Sequence, residues 1–343
     1  MSVQKPQILA IIGQGYVGLP LALAAVDAGW TVIGVDNFEA KVAQINSGSS
    51  PVEDISDSQL KAAIAKGAYK ATTDYSAVSQ ASVITICVPT PLDENREPDL
   101  ALLRSAATGI APYVSNETLV VSESTSYPGT LRDIIVPIIN SHKPKDSLTV
   151  FFSSAPERVN PGDPVWNQKN TPRLVGSIDQ ESQQRALAFY ESICDAAVSV
   201  SSPEVAEAAK LLENTFRLVN IALVNEFTQL CSASGINVHE VIDAASSKPY
   251  GFMPFRPGVG DVRETPVSDL RDCLKVQGAD VAWHDPLVSV WEGSNPVDLD
   301  WDCDVAILAT KQPGMNLNQL IARGIQILDC TNSISGQAGV SSL

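Results

Sequence analysis

A glycine-rich turn between a short apolar run and an Ala/Leu-rich segment constrains the fold more than any other feature. The run Gln7–Ile12 carries no charge, which is typical of a strand buried on both faces of a parallel sheet. It leads into Gly13, Gly15 and Gly18, and the next segment, Leu19–Ala28, has the composition of a helix. A strand, a G-x-G-x-x-G turn and a helix in this order predict the first unit of a dinucleotide-binding sheet.

Each glycine has a separate physical task in this interpretation. Gly13 permits the tight turn, Gly15 lets a pyrophosphate approach the backbone, and Gly18 lets the helix pack closely on the strand. The N-terminus of the helix offers N–H groups and a partial positive charge to the phosphates. We therefore expect cofactor contacts from these glycines and from Tyr16 and Val17 between them. A glycine turn without a ligand is the alternative.

An acidic residue at the end of the second predicted strand, Thr31–Asp36, indicates which dinucleotide is expected. Asp36 follows the first glycine by about 20 residues, where the motif requires a carboxylate. A carboxylate there accepts hydrogen bonds from a ribose diol and repels a 2′-phosphate, so the sequence predicts NAD rather than NADP as cofactor.

The remaining chain continues the α/β pattern and then loosens. Alternating strand-like and helix-like segments up to about residue 145 predict a Rossmann-type doubly wound parallel sheet. The pattern of Ser202–Ser234 predicts one long helix. We expect a helix of this length to bridge domains or to form a dimer interface. A smaller α/β tail is expected to contain strands at Asp280–His284, Asp304–Thr310 and Ile325–Asp329.

Composition excludes several classes of partner. With 23 basic and 39 acidic residues the net charge is −16, so a nucleic acid is not an expected partner. No apolar run approaches the ~20 residues of a membrane span, so no membrane partner is expected. Six scattered cysteines without a secretory leader indicate reduced thiols and a cytoplasmic location. Three distant histidines give no indication of a metal site.

Several motifs occur together in one order along the chain. They are IGQGYVGLPLALAAVDAGWTVIGVD, CVPTPLDENREPDL, ESTSYPGT, APERVNPG, VAEAAKLLENTFRLVNIALVNEF and KPYGFMPF. Together they resemble the UDP-glucose/GDP-mannose dehydrogenase family, most of all the bacterial branch that oxidises UDP-N-acetyl-D-mannosamine or UDP-N-acetylglucosamine to uronic acids. The resemblance runs from Ile8 to about Phe255 and resumes at Asp261.

The resemblance implies an oxidoreductase that converts a sugar C6 alcohol to a carboxylate in two NAD-dependent steps, for polysaccharide precursor synthesis. It implies an NAD-binding domain in residues 1–200, a central helical dimerisation region in residues 201–256 and a truncated UDP-sugar-binding α/β domain in residues 257–343. It also implies a UDP-sugar substrate and a homodimer through Ser202–Ser234, or pairing there with a full-length paralogue.

The same resemblance assigns catalytic roles. Thr125 would help to hold a catalytic water, and Glu157 would be the base in thioester hydrolysis. Lys210 and Asn214 would stabilise an oxyanion and position the sugar, and their i, i+4 spacing places both on one helix face. The alternatives are a solvated helix lysine for Lys210 and a surface ion pair with Arg158 for Glu157.

Further contacts are expected from loops that follow the predicted strands, from the long helix and from the Pro/Gly-rich loop Pro249–Gly260. For the cofactor they are Val88, Pro89, Thr90 and Thr125. For the substrate they are Glu157, Arg158, Lys210, Asn214, Tyr250, Phe255 and Arg256. Judged without the motif, Tyr250 and Phe255 are aromatics that pack within a loop.

One segment of the family pattern is missing. The family continues into a loop ending Gly-Gly-His-Cys-Ile-Pro-x-Asp. In this chain Gly260 is followed at once by Asp261-Val262-Arg263-Glu264-Thr265-Pro266, a stretch that in the family lies well inside the C-terminal domain. The nucleophilic cysteine, the assisting aspartate and the first strand of the nucleotide-binding domain are thereby lost. If the tail pairs its strands again, Asp280–His284 should lie beside Asp304–Thr310.

The missing cysteine changes the expected chemistry. The second hydride leaves only after a nucleophile has bound the carbonyl as a hemithioacetal, so we predict no complete four-electron oxidation. A non-catalytic NAD-binding or dimer-forming pseudoenzyme is the alternative. A two-electron oxidoreductase of hydroxy acids is a third possibility, and the retained Glu157, Asn214 and Phe-Met-Pro-Phe argue against it.

Overall fold

A computed structural model describes most of the chain, in two compact units. The described residues are 7–52, 55–159, 165–253, 266–286, 288, 290–291, 293–309, 315–330, 334 and 337–342. The first unit is Met1–Asn214 and the second is Thr215–Leu343. The functional division into residues 1–200, 201–256 and 257–343 stays a prediction.

The first unit is built on one eight-stranded sheet. Its strands are β1 Ile8–Ile12, β2 Thr31–Val35, β3 Tyr69–Thr72, β4 Val83–Ile86, β5 Thr118–Ser122, β6 Val150–Ser154, β7 Arg173–Ser177 and β8 Ala197–Ser199. Their order is β3-β2-β1-β4-β5-β6-β7-β8, and every neighbouring pair is parallel except β6 and β7. This confirms the predicted doubly wound α/β fold.

The helices of this unit connect successive strands. They are α1 Gly18–Asp27, α2 Glu39–Asn46, α3 Asp57–Ala65, α4 Ala101–Ile110, α5 Val136–His142 and α6 Gln180–Ile193. A π-helical turn, Leu131–Ile135, leads into α5. The long helix α7, Pro203–Ala233, begins in the first unit and continues into the second, which confirms the predicted helix.

Both faces of the sheet are buried, as the uncharged first strand predicts. Leu9 and Ile11 belong to one apolar cluster, whereas Ala10 and Ile12 belong to another. Because successive side chains of a strand point to opposite faces, these two clusters lie on opposite sides of the sheet. The apolar run therefore contributes to both cores at once.

Two local expectations in the first unit need correction. Asparagine is a favoured helix cap, so the sequence predicts a helix capped by Asn37. The structure differs, because α2 begins at Glu39 after Phe38 and has no side-chain cap. The carboxylate of Asp36 accepts the Phe38 N–H instead and holds the backbone there. Proline near its start makes Pro128–Ser141 a predicted helix, and in the structure this segment begins with the π-helical turn Leu131–Ile135. Elements that the sequence pattern did not reveal are β3, β7, α6 and β8.

The second unit contains a smaller sheet. Besides the end of α7 it has α8 Val238–Ser246, α9 Pro266–Val276, β9 Val305–Leu308, α10 Asn318–Ala322, β10 Gln326–Asp329 and β11 Val340–Ser342. The strands are parallel in the order β11-β10-β9. A small core lies around them, formed by Leu308, Leu317, Leu320, Ile327 and Ile334.

The expected pairing of Asp280–His284 with Asp304–Thr310 is wrong. Residues 280–284 form no strand, and β9 pairs with β10. The backbone groups near residue 284 are used elsewhere, because the Trp283 carbonyl accepts the Val297 N–H at 2.8 Å. Within the described residues, no strand covers the other edge of β9.

A buried ion pair joins β7 to the residue that follows β5. Nη1 of Arg173 lies 3.3 Å from Oε2 of Glu123, and both side chains are buried. The hydroxyl of Tyr190 donates to Oε1 of Glu123 at 2.6 Å. Burial raises the pKa of Glu123 above its usual range, while the adjacent guanidinium acts in the opposite direction. Each charge is therefore tolerated only because the other is present.

We predict that Arg173→Met lowers the free energy of unfolding by roughly 3–5 kcal/mol, because Glu123 would remain as a buried unpaired charge. Urea denaturation measures this loss. Lys61→Met is the control, since it removes an exposed pair with Asp57 (Nζ–Oδ2 3.8 Å) and should cost less than about 1 kcal/mol. Equal losses in the two variants would contradict the assignment.

Candidate functional site

The glycine turn joins the carboxyl end of β1 to the N-terminus of α1. Gly13 has φ +93°, and a Cβ there would lie 2.5 Å from the carbonyl oxygen of Cys87. A Cβ at Gly18 would overlap the carbonyl oxygen of Gly13. A Cβ at Gly15 would have no heavy atom within 4 Å. The turn is therefore closed to side chains at its two ends and open beside Gly15.

Asp36 connects the end of β2 to this turn. Its Oδ2 accepts hydrogen bonds from the Gln14 N–H and from Lys41 Nζ, both at 2.9 Å. Its Oδ1 accepts the Phe38 N–H at 3.1 Å. The carboxylate is thus held from three directions beside the glycine turn. Lys41 was missed by the sequence analysis, which had no local signal that its ammonium group turns back to Asp36.

A buried pair of polar side chains, Tyr69 and Gln14, supports the glycine turn. The hydroxyl of Tyr69 donates to Oε1 of Gln14 at 2.6 Å, and Nε2 of Gln14 donates to the Ile11 carbonyl at 2.9 Å. Burial raises the pKa of Tyr69, so this hydroxyl stays protonated as a donor. Gly34 leaves the necessary room, because a Cβ there would lie 2.6 Å from Oε1 of Gln14. The sequence motif does not reveal this support.

The loops that follow β4 and β5 are hydrogen-bonded to each other. Oγ of Ser124 donates to the Val88 carbonyl at 2.8 Å and accepts the Val88 N–H at 3.0 Å. Oγ1 of Thr90 donates to the Thr125 carbonyl at 2.5 Å. Since β1, β4 and β5 are neighbours, their carboxyl ends meet at one edge of the sheet. The predicted cofactor residues Val88, Thr90 and Thr125 therefore lie on this edge, with exposed Pro89 between the first two.

Glu157 is attached to the same edge. Its N–H donates to the Glu123 carbonyl at 3.2 Å, and its carboxylate accepts the Val159 N–H. Arg158 pairs with Glu213 rather than with Glu157: its Nε lies 2.9 Å from Oε1 and 3.1 Å from Oε2 of Glu213. A bidentate Arg–carboxylate pair is a strong and directional contact.

That ion pair connects the Glu157 loop to α7. Glu213 precedes Asn214 and lies within one helical turn of Lys210, so Arg158 contacts the part of α7 that carries both predicted residues. Lys210 is half-buried and Asn214 is exposed. Whether these side chains act on a substrate stays a prediction, but the elements that carry Thr125, Glu157, Lys210 and Asn214 are connected in the first unit.

A buried carboxylate of α7 provides a second connection. Glu207 is only 1% exposed, and its oxygens accept the N–H groups of Gly129 at 2.7 Å and Leu131 at 3.0 Å. Burial raises the pKa of this carboxyl to about 7, against the opposing effect of the two hydrogen bonds. The sequence analysis missed Glu207.

The residues present fit a bound dinucleotide. The open space beside Gly15 and the N-terminus of α1 suit a pyrophosphate, and the fixed carboxylate of Asp36 suits a ribose diol. Tyr16 is 45% exposed and Val17 is half-buried at the same turn. No cluster of three or more metal-ligating side chains occurs among the described residues.

The remaining predicted substrate residues are placed differently. Tyr250 lies in the second unit, is 71% exposed and has Lys248 Nζ 4.9 Å from the centre of its ring. Phe255 and Arg256 lie outside the described residues.

In the part of the chain that the structure describes, no helix has the length and apolar character to span a membrane.

All six cysteines belong to the described residues, and they occur as free thiols. Burial raises the pKa values of Cys87, Cys194 and Cys330. A nucleophilic thiol requires a lowered pKa, because the thiolate is the reactive form. Cys231 is also buried, whereas Cys273 on α9 is exposed.

We predict opposite effects for two alanine substitutions in the turn. Gly15→Ala should change the free energy of unfolding by less than about 1 kcal/mol, yet weaken NAD binding at least about tenfold by filling the open space. Gly18→Ala should lower the free energy of unfolding by roughly 1–3 kcal/mol, because its Cβ meets backbone. Urea denaturation and NAD titration calorimetry test both. Unchanged NAD affinity in Gly15→Ala would contradict the site.

The sequence matches two domains of one family. Residues 7–194 match the NAD binding domain of the UDP-glucose/GDP-mannose dehydrogenase family, and residues 204–264 match its central domain. The chain is 36% identical over 257 residues to a UDP-N-acetyl-D-mannosamine dehydrogenase of Methanocaldococcus jannaschii (74% of this chain, 58% of that protein). It is 34% identical over 255 residues to a UDP-N-acetyl-D-glucosamine 6-dehydrogenase of Pseudomonas aeruginosa (73% and 59%). The chain thus spans about three fifths of the length of these relatives.

Solved structures show the same relationship. A UDP-N-acetylmannosamine dehydrogenase from Pyrococcus horikoshii has a TM-score of 0.69 at 31% identity, covering 80% of this chain and 66% of that one. The dehydrogenase Cap5O from Staphylococcus aureus has a TM-score of 0.82 over 98% and 97% of the two chains, and at 22% identity it shows the fold alone. Because the NAD-binding match covers more than half of its length, this chain belongs to the UDP-glucose/GDP-mannose dehydrogenase family and has NAD as its cofactor.

Proposed function

We propose that this chain binds NAD together with a UDP-N-acetylhexosamine, as a nucleotide-sugar 6-dehydrogenase that has lost the second of its two oxidation steps. The observation that carries the proposal is the Arg158–Glu213 pair, which joins the Glu157 loop at the cofactor edge to the part of α7 with Lys210 and Asn214. The names of the relatives, which act on UDP-N-acetylhexosamines, support this substrate class.

The residues of the first unit suit the first oxidation step. Bound NAD supplies the hydride acceptor. Asp36 orients the adenosine ribose, and the N–H groups after Gly15 hold the phosphates. An ammonium group at Lys210 and an amide at Asn214, on one helix face, would stabilise an oxygen that gains negative charge. Glu157 would serve as a base beside them.

The second step lacks its nucleophile. An aldehyde must be bound covalently before it yields a second hydride and an acyl-enzyme, which water then cleaves. The cysteine motif that performs this step in the family is missing from the sequence. Raised pKa values make Cys87, Cys194 and Cys330 poor substitutes.

We predict that the purified protein, incubated with NAD and UDP-N-acetylglucosamine or UDP-N-acetyl-D-mannosamine, releases no uronic acid. NADH absorbance and mass spectrometry of the sugar products measure the outcome. NAD binding in the same preparation, followed by calorimetry, is the control for a folded site. About two NADH per sugar, with a uronic acid product, would mean that another group replaces the cysteine.

A second candidate is a non-catalytic NAD-binding protein that acts by pairing through α7. Large apolar side chains are exposed along this helix at helical spacing. They are Leu212, Phe216, Val219, Leu223, Phe227 and Leu230. A long exposed apolar stripe favours association with another helix, so we infer a homodimer through Ser202–Ser234. A full-length paralogue would be the alternative partner.

We predict that Leu223→Glu converts a dimer to a monomer, because it places a charge in the apolar stripe. Sedimentation velocity measures the mass, and unchanged NAD affinity shows that the first unit stays folded. Asn225→Glu adds the same charge at an exposed polar position about half a turn away and should leave the dimer intact. A monomeric wild-type protein would refute the inferred homodimer.

A further inference from the structure

Glu207 accepts two long-range hydrogen bonds that no sequence motif predicts. It lies on α7, yet its carboxylate accepts N–H groups 78 and 76 positions away in the chain, from Gly129 and Leu131. These N–H groups stand at the start of the helical segment that continues through α5 to His142. Such groups have no partner within their own helix and must be satisfied from outside.

The carboxylate is shielded from water, unlike the charges around it. Arg132 and Glu204 form a neighbouring pair (Nε–Oε1 2.6 Å) whose side chains are 47% and 31% exposed. Asp133 is an exposed like charge nearby. At Glu207, by contrast, no solvent can replace the lost acceptor, because the side chain is buried.

The two ends of this contact carry predicted site residues. Gly129 and Leu131 lie at the end of the Ser124–Leu131 loop, which begins with Ser124 and Thr125. Glu207 is three positions before Lys210 and seven before Asn214, hence on the same side of α7. Any sliding or rotation of α7 against the loop would break both hydrogen bonds.

We propose that Glu207 is a positioning residue, which sets the register of α7 against the Ser124–Leu131 loop and thereby places Lys210 and Asn214 relative to Thr125. This inference rests on the proposed function, because it assumes that Lys210 and Asn214 face a UDP-sugar. Two acceptor oxygens on one rigid carboxylate are required, since Gly129 and Leu131 donate to different oxygens.

Chemistry explains why the residue is a glutamate. Glutamine has the same shape but offers one oxygen, and its NH₂ group would face the second N–H. An apolar residue would leave both N–H groups buried without partners. Burial raises the pKa of Glu207 to about 7, so the protein keeps a carboxylate where burial opposes its charge. The free-energy cost of burying this carboxylate is expected where the residue fixes the geometry of its partners.

The test compares Glu207→Gln with Glu204→Gln, a matched change at a partly exposed carboxylate one turn earlier. Both are measured at about pH 8, where Glu207 is ionised. Calorimetry gives the dissociation constants of NAD and of UDP-N-acetylglucosamine. We expect Glu207→Gln to weaken UDP-sugar binding about tenfold and leave NAD binding unchanged. Glu204→Gln should change neither. Unchanged UDP-sugar binding in Glu207→Gln would overturn the proposal.

Amide hydrogen exchange tests the register without any sugar. In Glu207→Gln we expect faster exchange throughout residues 124–131 and 204–214, and unchanged exchange in β1 and β2. Acceleration confined to residues 129 and 131 would make Glu207 a local cap and overturn its positioning role. If the wild-type protein binds no UDP-sugar, the proposed function fails while this experiment still decides the role of Glu207. Should Glu207→Gln not fold, Glu207→Asp keeps both oxygens on a shorter side chain and serves the same test.

Discussion

The close approach of α1 to β1 is the constraint on which the cofactor site depends. No side chain fits at Gly18, where a Cβ would overlap the Gly13 carbonyl oxygen, so the helix starts directly above the strand. That position directs the N-terminus of α1 toward the open space beside Gly15. The Gln14 N–H, fixed by the same turn, donates to Asp36 and holds the carboxylate that we propose for the ribose beside the turn that we propose for the phosphates. The proposed recognition of phosphate and ribose thus depends on one packing contact.

Carboxylates of α7 then attach this helix to the segments that follow β5 and β6. Glu204 pairs with Arg132, Glu207 accepts two backbone N–H groups, and Glu213 pairs with Arg158. These three carboxylates lie on the part of α7 that belongs to the first unit. Further along, the helix exposes apolar side chains instead. One helix therefore contributes both to the cofactor-binding unit and to an exposed apolar stripe suited to association, which begins at Leu212, just before the boundary at Asn214.

Sequence reasoning succeeded where a local pattern determines the structure. The apolar run, the glycine spacing and the acidic end of β2 predicted β1, the turn and Asp36, because each depends on neighbours within a few residues. The pattern failed for β3, whose sequence YKAT contains a lysine and no apolar run. It also failed for Glu123 with Arg173 and for Glu207, since these contacts join residues far apart in the chain. Residues 280–284 resembled a strand, but they form none, and the Trp283 carbonyl accepts the Val297 N–H instead.

The contacts that support the cofactor site and the cysteine motif of the family belong to different parts of the sequence. The contacts that build the cofactor site and attach α7 all join residues between Ile11 and Glu213. In the family the nucleophilic cysteine follows the Phe-Met-Pro-Phe stretch, well after these residues. The support of the cofactor site therefore comes from residues that precede the Phe-Met-Pro-Phe stretch, so on our proposal the loss of the cysteine segment would leave that support in place. On that proposal the chain keeps the residues suited to bind NAD and would lack the group that commits an aldehyde to the second oxidation.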